Sequence, residues 1–183
     1  MPAYLETFSE FTVFLNRILA WLDFAYHTRA KKRYSASVTI TGASQGIGLA
    51  TTRYLASKGY NFFAAVKDEV ELAKLAEDIT DDAHKDLAPC IHFVVMNVLE
   101  QSSTDFTLST ISSTVSKTPN SPLIALINNA GYCMISRMEL TPPRALHDIF
   151  DLDCFAYLST ISAFLPLLKQ SSGRVINVVS YGA

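Results

Sequence analysis

The stretch "SVTITGASQGIG", residues 37–48, decides the fold of this chain. It begins with a short run rich in β-branched residues, which favours a buried strand, and the "LATTRYLASK" that follows is typical of a helix. Gly42, Gly46 and Gly48 lie between the two. Because glycines have no side chain, backbone N–H groups and the helix N-terminus can approach a pyrophosphate at such a turn. The stretch therefore predicts a strand–turn–helix unit built around a pyrophosphate.

The alternation of strand and helix continues along the chain. Further strands are predicted in "YNFFAAV", "CIHFVVMNV", "PLIALI" and "RVINVV", with helices between them. These apolar runs lack polar alternation, which is typical of parallel strands covered by helices on both faces. Residues 34–183 are therefore expected to form one α/β domain, a Rossmann-like doubly wound parallel sheet.

The helix predicted after the second strand has its own start signal. Asp68 can cap the helix, and Glu71, three residues later, can close a capping box by bonding back to the Asp68 N–H. The pattern therefore assigns both acids a local structural role.

Composition excludes several classes of protein. The 183 residues carry a formal net charge of −2, so there is no basic field to attract nucleic acid. The three cysteines form no Cys-x-x-Cys pair, so neither a disulfide framework nor a metal site is expected.

The first 33 residues differ from the rest. Residues 8–26 place large apolar side chains on one helical face, but Glu10, Arg17 and Asp23 count against a spanning helix. Four basic residues follow within residues 29–33. The pattern favours a helix lying in a membrane interface, and packing on the domain's own surface or on a partner chain is the alternative.

Four motifs together resemble the short-chain dehydrogenase/reductase family. They are "TGASQGIG" (41–48), "NNAG" (128–131), "FLPLLK" (164–169) and "GRVINVVS" (173–180). The resemblance implies the strand order 3-2-1-4-5. The apolar N-terminus and "LIALINNAG" resemble the membrane-associated retinol, hydroxysteroid and hydroxybutyrate dehydrogenases of that family. This branch implies a location on the cytosolic face of a membrane, with the endoplasmic reticulum favoured, or the cytoplasm if the helix packs on protein.

The resemblance also implies a nicotinamide cofactor and hydride exchange with an alcohol or ketone, here a lipophilic one. Ser180 matches the serine that hydrogen-bonds the substrate oxygen, and Asn97, with Val98 beside it, falls where relatives place an aspartate against the adenine. The remaining implied contacts are Ser44, Gln45, Gly46 and Ile47 with the phosphates, and Asn129, Ala130 and Gly131 with the adenosine and ribose.

The end of the second strand bears on the choice between NADP and NAD. Relatives that prefer NAD usually have an acid there, which accepts from the ribose 2′-hydroxyl. Here Val66 occupies that position and Lys67 follows. An ammonium group attracts a 2′-phosphate, so NADP(H) is predicted, with NAD as the alternative.

Two departures from the family bear on catalysis. The family's Tyr-x-x-x-Lys pair, in which a lysine lowers the phenol pKa, is expected after Ser180, where only three residues follow. Asp153 occupies the place of an asparagine in the proton relay. We therefore interpret the chain as the cofactor-binding part of a C-terminally truncated oxidoreductase, inactive alone. A non-catalytic nucleotide-binding or scaffold protein at a membrane is the alternative.

The fifth strand is expected to form an exposed apolar edge of the sheet, because the elements that cover it in relatives come later in their chains. Such an edge can pair with other chains. We therefore expect poor solubility or a partner, with a homo-oligomer as one form.

Overall fold

The structure is a computed structural model that describes residues 36–80, 85–118, 120–134 and 136–179. The predicted amphipathic helix, its basic segment and Ser180 lie outside these residues and stay predictions.

The described residues form one five-stranded parallel sheet with the order β3-β2-β1-β4-β5. Both the predicted strand order and the Rossmann-like α/β class are thereby confirmed. The strands are β1 (Ser37–Thr41), β2 (Asn61–Val66), β3 (Ile91–Val95), β4 (Leu123–Asn128) and β5 (Arg174–Asn177).

Helices connect the strands, as parallel pairing requires. Their bounds are α1 (Gly46–Ser57), α2 (Glu69–Thr80), α3 (Gln101–Lys117) and α4 (Pro143–Ser171), with short 3₁₀ turns at Lys85–Cys90 and Met138–Leu140.

The core follows from the apolar runs. Every residue of β1 and β4 is buried, whereas most residues of the outer strands β3 and β5 are only half-buried. Phe63 of β2 and Leu126 of β4 pack in one cluster with Ile111 of α3 and Phe164 of α4. The carboxyl ends of the central strands are thus held rigidly at one edge of the sheet, where open α/β sheets place their ligands.

The long helix α4 changes its hydrogen-bond pattern near the middle. Asp151–Phe155 form a π-helical turn, and the Ala156 N–H donates to the Asp151 carbonyl oxygen five residues back. Such turns insert one extra residue and are frequent at functional sites. This turn carries Asp153.

Helix α4 is also, among the described helices, the one long and apolar enough by length and composition to cross a membrane. Phe164 is fully buried in the core cluster and Leu168 is 2% exposed. Since these side chains pack under the sheet, the domain core accounts for part of the helix's apolar character.

Candidate functional site

The Gly-rich turn after β1 is bound to the loop after β4. The Thr41 hydroxyl oxygen accepts from the backbone N–H groups of Asn129 and Ala130, at 2.9 Å each. The Asn129 side-chain amide donates to the carbonyl oxygens of Thr41 and Gly42, at 3.0 Å each. The two motifs "TGASQGIG" and "NNAG", separated by 79 residues of sequence, therefore form a single wall.

The N-terminus of α1 opens beside this wall. A Cβ at Gly48 would overlap the Gly42 carbonyl oxygen, so only glycine lets the helix start so close to the turn. Gly46 has φ +54°, and a Cβ there would meet nothing within 4 Å. The space beside Gly46, at the start of α1, is therefore open.

The first turn of α1 fits an anion. Gln45, at the N-cap, makes no side-chain cap hydrogen bond, and the first turn contains no acidic residue. The first N–H groups of a helix have no partner within the helix and carry the positive end of its dipole. A pyrophosphate could therefore be bound at Gly46 and Ile47 without displacing a cap.

A second network links this turn to the end of β2. The Ser44 hydroxyl donates to Glu71 Oε2 at 3.0 Å, and the Lys67 backbone N–H donates to the same oxygen at 3.2 Å. Asp68 Oδ1 accepts from the Val70 and Glu71 N–H groups at 3.1 and 2.9 Å, as a cap should.

The predicted second bond of the capping box, from the Asp68 N–H to the Glu71 carboxylate, is therefore wrong. Glu71 bonds to the N–H of Lys67, one residue before the cap, and to Ser44 across the turn, instead of to the Asp68 N–H. Tertiary contact with the Gly-rich turn outweighs the local alternative because it also satisfies the hydroxyl of the buried Ser44.

These parts surround a cleft of about 370 Å³ at the carboxyl ends of the strands. Most cofactor-binding residues predicted from the sequence line it: Gly42, Ser44, Gln45, Ile47, Lys67, Asn97, Val98, Asn129, Ala130 and Gly131. Gly46 and Gly48 belong to the same Gly-rich turn but do not line the cleft. Sequence reasoning did not place Glu71, Met96, Leu99 and Leu152 there, although they line it too.

Asn97 lies at the rim of the cleft, and its side-chain amide is hydrogen-bonded to residues close to it in sequence. The amide nitrogen donates to Glu100 Oε1 at 2.7 Å, and the amide oxygen accepts from the Leu99 N–H at 3.2 Å. The Asn97 N–H donates to the Ser103 hydroxyl at 3.0 Å. The side chain thus shapes the turn before α3.

Asp153 lies outside the lining of this cleft but contacts the same loop. Its Oδ1 accepts from the Tyr132 backbone N–H at 3.0 Å, and a Cβ at Gly131 would lie 3.3 Å from that oxygen. The π turn of α4 thereby fastens the segment after "NNAG".

Asp153 also affects a buried phenol. Burial, together with the Asp153 carboxylate, raises the pKa of Tyr157 to about 12. The Tyr157 hydroxyl donates to the Val178 carbonyl oxygen at 3.2 Å, and the Val178 N–H donates to the Asn128 carbonyl oxygen at 2.8 Å. The described chain approaching Ser180 therefore runs beside the end of β4, next to the cleft.

Fold and cleft together define a Rossmann-like α/β protein with an open cleft at the carboxyl ends of its strands. A sequence model of the short chain dehydrogenase family matches residues 36–183. The chain therefore belongs to the short-chain dehydrogenase/reductase family, whose members use NAD(P) to interconvert alcohols and ketones.

The chain is also similar in sequence to individual oxidoreductases. The chain is similar to the mitochondrial D-beta-hydroxybutyrate dehydrogenase of Mus musculus, with 27% identity over 159 residues that cover 85% of this chain and 44% of that protein. It is also similar to the 3-amino-tetrahydro-pyrrolizinone reductase of Xenorhabdus hominickii, with 30% identity, covering 79% and 45%. The chain thus spans about half the length of the curated relatives it matches.

Solved structures share the fold. A mutant of the actinorhodin polyketide ketoreductase, crystallised with NADPH, superposes with a TM-score of 0.69 at 19% identity, covering 81% of this chain and 54% of that one. A short-chain dehydrogenase from Streptomyces avermitilis gives 0.66 at 22% identity, covering 81% and 50%.

Proposed function

We propose that this chain binds a nicotinamide dinucleotide in the cleft beside the Gly-rich turn and the loop after β4, as the cofactor-binding part of an alcohol–ketone oxidoreductase. The observation that carries the proposal is the uncapped N-terminus of α1, which opens beside Gly46 at the carboxyl ends of β1 and β4. A dinucleotide places its pyrophosphate at such a helix end.

The proposed roles follow the cleft. Gly46, Ile47 and Gln45 hold the pyrophosphate through backbone N–H groups, and Ser44 belongs to the same phosphate-binding turn. Asn129, Ala130 and Gly131 form the adjoining part of the same wall, which Thr41 helps to hold in place. When bound, the nicotinamide ring supplies or accepts the hydride.

The reaction of the whole protein is also a proposal. Ser180, next to the last described residues, would hydrogen-bond the oxygen of an alcohol or ketone. Asp153 would act as a positioning residue, because its carboxylate fixes the loop after Gly131 through the Tyr132 N–H. A lipophilic substrate and attachment to a membrane surface rest on the apolar residues 8–26.

Two cofactors compete for this site. Lys67 lines the cleft directly after β2, as the NADP(H) prediction requires. Glu71 lies beside it with the opposite charge. The NADP(H) prediction considers the charge of Lys67 alone, whereas the cofactor preference depends on the charges of both Lys67 and Glu71.

Titration of the full chain with NADH and with NADPH, followed by cofactor fluorescence, tests the proposal. We expect saturable binding of at least one of them in the micromolar to low millimolar range. No change in fluorescence with either cofactor at millimolar concentration would refute it.

A further inference from the structure

Charge is sparse in the proposed cofactor cleft. Among the described residues that line it, Glu71 is the one carboxylate and Lys67 the one cation. Glu71 is half-buried, whereas Lys67 is exposed. A fixed, partly desolvated charge acts on a ligand with less screening than a mobile, solvated one.

Contacts on both sides hold the Glu71 carboxylate in place. Ser44 of the Gly-rich turn and the backbone N–H of Lys67 both donate to Oε2. Among the described residues, none donates a hydrogen bond to Oε1 of Glu71. One carboxylate oxygen is therefore held by the protein while the other can accept from a ligand.

The position of this carboxylate is informative. In dinucleotide-binding folds an acid about 20 residues after the Gly-rich turn accepts from the adenosine ribose 2′-hydroxyl. Here Val66 ends β2 and cannot do so. Glu71 extends back from the first turn of α2 to the N–H of the residue that follows β2. Its carboxylate thus lies within hydrogen-bond distance of the residue that directly follows the strand end.

We propose that Glu71 selects NAD(H) over NADP(H) in this chain, by accepting from the ribose 2′-hydroxyl and repelling a 2′-phosphate. This inference rests on the proposed function and reverses the preference predicted from Lys67 alone. Lys67 remains a solvated cation at the rim, where its attraction for a phosphate is screened.

The test compares dissociation constants for NADH and NADPH, measured by cofactor fluorescence on the full chain. We expect wild type to bind NADH at least about tenfold more tightly. Glu71→Gln keeps an acceptor for Ser44 and Lys67 but removes the charge, and it should reduce the NADPH-to-NADH ratio of dissociation constants about tenfold, or about 1.4 kcal/mol. Glu69→Gln, an equal change of charge in the same exposed first turn, should leave the ratio within about twofold.

The outcomes distinguish failure of the proposed function from failure of the proposed role of Glu71. If wild type binds neither cofactor, the proposed function fails. If it binds both and Glu71→Gln leaves the ratio unchanged, or weakens both equally, the role of Glu71 fails and dinucleotide binding stands.

A second measurement needs no variant. Bound NADH should be displaced more readily by 5′-AMP than by 2′,5′-ADP, which differ in the 2′-phosphate. Equal displacement, or better displacement by 2′,5′-ADP, would overturn the assignment.

Discussion

The hydroxyl oxygen of Thr41 accepts a hydrogen bond from the backbone N–H of Asn129 at 2.9 Å. The neighbouring Ala130 N–H donates to the same oxygen. One side chain at the end of β1 therefore accepts from two successive N–H groups of the loop after β4 and helps to hold that loop against the Gly-rich turn.

Replacing this hydroxyl tests that dependence. Thr41 is 1% exposed, so Thr41→Val keeps the side-chain shape but leaves two N–H groups without their acceptor. We expect a loss of about 1–3 kcal/mol in unfolding free energy, measured by urea denaturation, and weaker dinucleotide binding. Thr41→Ser keeps the oxygen and should lose clearly less. Equal stability of the two variants would show that the hydroxyl is not the link.

The space in front of Gly46 gives a second prediction. Gly46→Ala and Gly59→Ala both place a side chain at positive φ, +54° and +85°, and each should cost about 1 kcal/mol or more. Of the two, only Gly46 lies in the turn at which the pyrophosphate is proposed to bind. We expect NADH affinity to fall at least about tenfold in Gly46→Ala and to change little in Gly59→Ala. Similar affinities in both variants would place the pyrophosphate elsewhere.

The raised pKa of Tyr157 predicts a stability change in alkali. The phenol has a pKa of about 12 in the folded chain against 10.0 as the ordinary value, so between these pH values the folded state keeps a proton that the unfolded state releases. The contribution is therefore complete below pH 10 and is lost as the pH rises toward 12, by on the order of 2–3 kcal/mol.

Unfolding free energies measured from pH 9 to pH 12 would show this slope. Tyr157→Phe has no proton to lose, so its curve should be flatter than that of wild type across the same interval. Parallel curves would assign the alkaline loss to other groups.

Asp153 contributes the smaller part of that pKa shift. Asp153→Asn removes the negative charge, so the Tyr157 pKa should fall from about 12 yet stay above 10, since burial is the larger cause. A titration of ring-labelled tyrosine by NMR would measure it. Asp151→Asn, a matched change in the same π turn, should leave the Tyr157 pKa in place. A larger shift in the Asp151 variant would contradict the assignment to Asp153.

Two phenylalanines of α4 form a matched pair for stability. Phe164 is fully buried in the core cluster and Phe155 is 56% exposed. Phe164→Ala should cost about 3–5 kcal/mol through lost burial and a cavity, and Phe155→Ala about 1 kcal/mol or less. Chemical denaturation of both variants measures the difference. Comparable losses would mean that the exposed face of α4 is covered in solution.

The strands and the Gly-rich turn could be predicted from the residues, whereas the strand order and most cofactor contacts were implied by the family resemblance. The strand predicted at residues 37–41 is present as Ser37–Thr41, and ten of the predicted contacts line one cleft. The strands and the turn follow from local chemistry. Apolar runs favour buried strands, and glycines between a strand and a helix permit a tight turn, wherever the rest of the chain lies.

What the sequence by itself determined is thus the set of elements and the edge of the sheet at which they meet. Only the tertiary structure decided which partners the Glu71 carboxylate takes, because a polar group bonds to whichever partner the fold brings within about 3 Å. From sequence, Glu71 had a nearby backbone partner in the Asp68 N–H. In the folded chain its carboxylate instead accepts from the Lys67 N–H and from Ser44, which is 27 residues away in the sequence. These two bonds hold its charge at the cleft.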